Sequence, residues 1–313
     1  MELLDLNFDK DEAKASLKEE ATKLSSKDGL ILHLRGWLPH TTPNKVVVVL
    51  HGMGGHGGYY ASSIAPYVVP HGSAVYAPDL RGHGLSDGLR GDIESFGYFQ
   101  QDVETVVRWA RLKHPDLPLF LMAESMGTSI AINYVAQAAP EILPEGLILV
   151  ACVIAPTVTP SVREVARTMW YLARDRRRPA LPITGREELG IRDHEFIKVL
   201  KSDELFNRRV SVRFLSTMTT HMQQAARRHS AINLPVLLMQ GGRDYTIRHK
   251  PTRAFFDRIP SSDKEVHIFP DAYHALLNDP DAPHVRERII NWLERQSRNF
   301  WREREKKVLR TED

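Results

Sequence analysis

The sequence predicts an α/β protein built on a parallel sheet, and two observations carry that reading. Six short apolar, β-branched runs recur along the chain: "KVVVVLHG" (45–52), "SAVYAPD" (73–79), "LPLFLMAES" (117–125), "GLILVAC" (146–152), "LPVLLMQGG" (234–242) and "KEVHIFPD" (264–271). Their apolarity is continuous rather than alternating, as in strands covered on both faces. Helix-length segments such as 96–114 and 126–139 lie between most of them and supply the crossovers that parallel strands need.

The remaining elements follow in order. "ATKLSS" and "LILHLRGWLP" flank Lys27-Asp28-Gly29, a turn signal that predicts an N-terminal hairpin. The rhythm breaks between Val153 and Ile232, a helix-like, arginine-rich stretch with no convincing strand. The chain therefore divides into a first core part (1–152), a helical cap insertion (153–232) over one edge of the sheet, and a second core part (233–313). The tail "RERIINWLERQSRNFWREREKK" (286–307) sets apolar residues at 289, 292, 293 and 300 among charges, which predicts a core-covering helix with a solvated end.

Composition narrows the function. At 313 residues, 42% hydrophobic and 26% charged, the chain can bury a large core, and its net charge of +3 is too small to point to nucleic acid. Cys152 is the only cysteine, so no intrachain disulfide can form, which suits a reducing compartment. The first twenty residues are charged throughout and show no secretory leader. The longest uncharged apolar stretch, "GLILVACVIAPTVTP" (146–160), is too short to cross a bilayer. The expectation is a cytoplasmic, soluble protein.

Ligands of open parallel sheets gather at the carboxyl ends of the strands. Standing there are His51-Gly52-Met53-Gly54, Asp79, Ser125, Gly241-Gly242-Arg243-Asp244 and Asp271-Ala272-Tyr273-His274. A serine, an acid and a histidine past three different strands is the layout of nucleophilic acyl transfer. The hydroxyl needs an imidazole to take its proton, and the imidazole needs a buried carboxylate to hold its tautomer. Ser125, Asp244 and His274 also occur in the chain order of the α/β-hydrolase triad.

Residues 123–127, Ala-Glu-Ser-Met-Gly, match the elbow pattern G-x-S-x-G with alanine for the first glycine. The Glu124 side chain is expected to point away from the oxyanion side of this turn. The backbone N–H groups of Met126 and Met53 are the expected oxyanion donors. Asp271 and Asp79 are competing candidates for the orienting acid, although Asp79 and His83 read better as braces of the "DLRGHG" loop. "GMGGHG" (52–57) also fits the dinucleotide pattern G-x-G-x-x-G, with Asp79 as the ribose-binding acid, but that reading leaves Ser125, Asp244 and His274 without a role. His51 and His56 have no carboxylate or cysteine at metal-ligand spacing, so neither metal nor cofactor is expected.

Taken together, "HGMGGHGGYY" (51–60), "DLRGHGLSDGLRG" (79–91), "ESMG" (124–127), "GGRD" (241–244) and "YHALLND" (273–279) are similar to the motifs of one family. Over most of its length the chain resembles α/β-hydrolases of the monoacylglycerol lipase and lysophospholipase type. The resemblance implies a mostly parallel eight-stranded sheet with helices on both faces and a cap inserted after the sixth strand. It assigns Ser125 as nucleophile, Asp244 as acid, His274 as base and Met53 and Met126 as oxyanion donors. It also implies small lipidic esters such as monoacylglycerols as substrates, with an acyl-enzyme and no cofactor. The departures are Ala123 and a poorly matched cap.

Two other readings stay open: amide cleavage, as in proline iminopeptidase-like relatives, and a non-catalytic binding protein of the same fold. Trp170, Tyr171, Leu172, Phe196, Leu200, Phe206 and Phe214 are either an acyl channel or ordinary cap core. The run "RDRRRP" (174–179) is either a contact for anionic lipid surfaces or a solvated face.

Overall fold

The computed structural model describes residues 17–154 and 162–312; the charged stretch before residue 17 and the end of the apolar run 146–160 lie outside the described residues. Strands β1 (Lys18–Ser25) and β2 (Ile31–Leu38) form the hairpin read from the sequence, with Leu24 opposite Leu32. Its turn closes on Gly29, whose φ of 84° is a conformation glycine adopts without strain. The six apolar runs become β3 (Lys45–Leu50), β4 (Ser73–Pro78), β5 (Leu119–Glu124), β6 (Gly146–Val150), β9 (Val236–Gly241) and β10 (Lys264–Phe269). Together the eight form one sheet, ordered β1-β2-β4-β3-β5-β6-β9-β10. Only the β1–β2 and β2–β4 pairings are antiparallel.

Side chains alternate across a strand, so each central strand feeds two cores. Val46, Val48, Leu50, Leu119, Leu121 and Ala123 face the layer containing helices α1 (Gly97–Lys113) and α2 (Met126–Val135). Val47, Val49, Phe120 and Met122 face the opposite layer, where Tyr60, Ile64, Trp292 and Leu293 pack. This two-sided burial is the reason the strands read as unbroken apolar runs.

Between β6 and β9 the chain forms α3 (Val162–Arg174), β7 (Leu181–Pro182), α4 (His194–Ser202), β8 (Arg209–Val210) and α5 (Val212–Arg227). β7 and β8 pair as a two-residue antiparallel ladder. The sequence showed no strand here because two residues are too short to leave a periodic signature. Helix α5 seats this segment on α2, where Asn133 Nδ2 donates to His221 O at 2.9 Å. After β9, α6 (His249–Asp257) leads to β10, and α7 (Ala282–Glu312) closes the chain.

The first half of α7 covers the sheet with Val285, Ile289, Trp292 and Leu293, and the side chains described beyond Arg302 are exposed. Cys152 is buried just past β6, and burial pushes its thiol up to about 12. Among the described residues no helix is long and apolar enough to cross a membrane.

Trp292 lies edge-on to Phe120 at 5.7 Å, and its ring tip fills the space above Gly146. Trp292→Ala is expected to cost about 3–5 kcal/mol, because the surrounding strands cannot collapse into the cavity. Chemical denaturation of the two proteins measures this, and a loss below about 1 kcal/mol contradicts that packing role.

Candidate active site

Ser125 occupies the single residue between β5 and α2, with φ 52° and ψ −121°. A non-glycine residue rarely adopts such a backbone, and its neighbours must hold it there. Ser125 N donates to Val150 O at 3.0 Å, while Ser125 O accepts from Thr128 N at 2.9 Å and Thr128 Oγ1 at 2.6 Å. At Gly127 a Cβ would lie 2.7 Å from Leu50 O, so the second glycine of the pattern is a steric necessity. The first is not, for the Ala123 methyl is absorbed in the core beside Leu121 and Met126.

Two glycines bring Asp244 to His274. A Cβ on Gly241 would lie 2.3 Å from Tyr273 O, and one on Gly242 would lie 2.6 Å from Pro270 O. Their absence lets the loops after β9 and β10 pack backbone to backbone, with Arg243 N donating to Ala272 O at 3.1 Å. Asp244 then receives His274 Nδ1 at 2.7 Å, Gln240 Nε2 at 2.9 Å, Thr246 Oγ1 at 2.6 Å, and the amides of Thr246 and Ile247 at 2.8 and 3.0 Å. A carboxylate can only accept, so Nδ1 carries the proton and Nε2 is left as an acceptor. Ser125 Oγ lies 2.8 Å from that nitrogen. The structure thus brings Ser125, His274 and Asp244 into one hydrogen-bonded line.

Electrostatics poise this line for proton transfer. Burial alone would lower the His274 pKa, but the Asp244 charge and hydrogen bond, helped by Glu124, hold it above the ordinary value. Burial also disfavours the Asp244 anion, yet His274 and the Thr246 donors keep its carboxyl below the usual range. Glu124 is the contributor that motif reading missed. Its Oε2 accepts from Tyr60 OH at 3.0 Å, and burial raises its own pKa. Tyr60 lies 64 positions upstream, so only the packed fold reveals the pair.

The other candidates separate cleanly. Met126 is the first residue of α2, where an N–H has no intrahelical acceptor. Met53 is half-buried in the loop that abuts Ser125, since a Cβ on neighbouring Gly52 would lie 3.0 Å from Ser125 Cβ. Asp79 braces loops, accepting from Gly57 N and Leu85 N at 2.8 Å each and pairing with Arg35, so its carboxylate has no place for a ribose. Asp271 is an exposed partner of Arg243 rather than of His274. His51 accepts from Leu80 N at 3.0 Å, and His83 bonds to Arg81 O at 3.1 Å. No cluster of His, Cys, Asp and Glu among the described residues is arranged to hold a metal ion.

The aromatic and aliphatic residues singled out between 170 and 214 differ in burial. Phe214 and Leu200 are buried, Trp170 and Leu172 are exposed, and Phe206 with Ile183 lies against Gly54 beside Met53. Unforeseen from the sequence is how the same segment ties down the 52–60 loop. Asp203 accepts from His56 Nε2 at 2.9 Å and from Tyr59 OH, and Asn207 N donates to Gly54 O at 2.9 Å.

Residues 41–281 match the family model Hydrolase_4, described as serine aminopeptidase, S33. The chain belongs to this family, and its fold is the α/β-hydrolase fold. It is 31% identical to the monoglyceride lipase of Mus musculus over 278 residues, 87% of this chain and 88% of the relative. It is 29% identical to the monoacylglycerol lipase of Mycolicibacterium smegmatis over 259 residues, 82% of this chain and 90% of that one. A soluble variant of monoglyceride lipase from Saccharomyces cerevisiae, solved with a substrate analogue, superposes with a TM-score of 0.78 at 20% identity, covering 88% of this chain and 95% of that one.

A reaction that needs neutral His274 loses rate as pH falls through its raised pKa. The acidic limb of kcat/KM is therefore expected above pH 6.5, the ordinary histidine value. Removing a negative charge lowers an imidazole pKa, so Glu124→Gln should shift that limb to lower pH. A pH–rate profile checks both, and an unmoved limb in the variant contradicts the electrostatic role of Glu124.

Proposed function

We propose that the protein hydrolyses carboxylic esters, with monoacylglycerols or similar small lipidic esters as substrates, through an acyl-enzyme on Ser125. The observation that carries the reading is the line Ser125 Oγ, His274 Nε2, His274 Nδ1, Asp244 Oδ2, with links of 2.8 and 2.7 Å. Relatives named monoacylglycerol and monoglyceride lipase along almost their whole length support the substrate class.

In the first step His274 Nε2 takes the Ser125 proton while Oγ attacks the ester carbonyl. The amides of Met53 and Met126 stabilise the oxyanion, and His274 returns its proton to the leaving alcohol. Water, activated by the same imidazole, then releases the fatty acid. Residues 153–232 serve as a cap over the carboxyl ends of the strands, with Ile183 and Phe206 roofing the oxyanion loop. Helix α3 is proposed as a contact for lipid surfaces. It exposes Met169, Trp170 and Leu172, and the exposed Arg176, Arg177 and Arg178 follow just beyond its end. The family description as serine aminopeptidase keeps amide cleavage by the same three residues as a second reading.

Ser125→Ala is expected to lower kcat by about 10³- to 10⁶-fold with substrate affinity retained, and to abolish labelling by a fluorophosphonate probe. Near-normal turnover in that variant removes Ser125 from the chemistry. A panel of p-nitrophenyl esters, monoacylglycerols and aminoacyl amides should show ester turnover dominant; amides turned over faster reverse the assignment. Vesicle binding should rise with anionic lipid and fall with salt, whereas equal binding to neutral vesicles contradicts the arginine contribution.

A further inference from the structure

The stretch between β7 and α4 lies directly on the loop that carries His274. Gly190 O accepts from Ala275 N at 2.9 Å. A Cβ on Gly190 would sit 3.3 Å from His274 Cβ and 3.4 Å from Thr246 Cγ2, so the bare backbone touches both the base and the residue that steadies Asp244. Two positions on, Arg192 Nη2 donates to Asp279 Oδ1 at 2.6 Å and to Asp281 Oδ2 at 3.1 Å. The Asp279 side chain is only 1% exposed. Its Oδ2 accepts from Tyr273 N at 3.1 Å, and its Oδ1 also accepts from Asp281 N at 3.0 Å. The amides of Tyr273 and Ala275, on either side of His274, therefore both lead to residues 190–192.

We infer that Arg192 is a positioning residue for His274, acting through Asp279 to hold the 273–279 loop against the acid and the nucleophile. The inference rests on the reading of His274 as general base. That base must lie within hydrogen-bond reach of Ser125 and Asp244 at once, and a displacement of about 1 Å costs on the order of 10²-fold in rate. The Asp279 carboxylate supplies the acceptor for Tyr273 N, and Arg192 compensates its buried charge. From α7, Arg286 supports the same loop at a different point, donating to Leu277 O at 2.8 Å. A motion that lifted the whole 153–232 segment would pull Arg192 off Asp279 and disarm the base.

The test uses the full chain with a soluble short-chain p-nitrophenyl ester and a fluorophosphonate probe. Arg192→Ala should lower kcat about 10- to 100-fold with KM within about twofold, and slow Ser125 labelling by the same factor. Arg192→Lys, which keeps a charge for Asp279, should recover most of the loss. If the unpaired Asp279 unfolds the alanine variant, the double variant Arg192→Ala with Asp279→Asn removes that charge. It should regain thermal stability yet stay slow in turnover and labelling. Wild-type kcat and labelling rate in either folded variant overturn the role of Arg192, as does a change confined to KM. Turnover surviving in Ser125→Ala would instead overturn the reading of the site itself, so the two failures are told apart.

Discussion

The site depends on one strained residue. At φ 52° and ψ −121°, Ser125 sits where an L-residue is held only by its surroundings, at a cost of about 1–3 kcal/mol. The surroundings are among the most buried parts of the molecule: β5 lies between β3 and β6, and every residue of α2 is buried. Ala151, at the carboxyl end of neighbouring β6, is the other non-glycine residue with positive φ among the described residues, at 51°. Its N–H donates to Met239 O at 2.8 Å, and the carbonyl just before it accepts the N–H of Ser125. The two strained positions thus sit side by side, and hydrogen bonds bind them into the ends of three adjacent central strands. The sheet supplies the rigidity; the strain presents the hydroxyl.

The same architecture explains why one histidine among fourteen stands apart. His51 and His83 are completely enclosed, and burial drives both to about 3; His221 follows at about 4. Each stays neutral, and the rings of His51 and His83 hold fixed backbone partners. Burial penalises charge on His274 too, but two carboxylates reverse it. Proton uptake by this ring is favoured at the place where the proposed reaction demands it. The acids that face the ring, Asp244 first and Glu124 after it, are what raise its pKa.

Much of this was legible in the chain. The apolar runs marked the central strands because both faces of the sheet are covered there; edge strand β10 has no buried residue and was marked by its composition alone. Polar side chains just past those runs marked the candidate site because parallel strands all end on one side. Ser125, Asp244 and His274, which the structure joins in one hydrogen-bonded line, were singled out that way. The Glu124–Tyr60 pair was not, since its members are neighbours only across the packed sheet. Nor were the ties of Asp203 to His56 and of Arg192 to Asp279, because they join the 153–232 segment to loops far away in sequence. Periodicity could name that segment helical but could not say which residue meets which loop. It likewise could not sort Phe214, which is buried, from Trp170, which is exposed.

The position of Cys152 gives the molecule a built-in reporter. Its sulfur is fully enclosed, and burial keeps the thiolate out of reach at neutral pH. Since only a thiolate attacks maleimides or disulfides, the folded chain should be silent toward such reagents, while any opening that wets the end of β6 switches the reaction on. Alkylation kinetics at this one sulfur would therefore time the breathing of the sheet beside Ser125, with no introduced label.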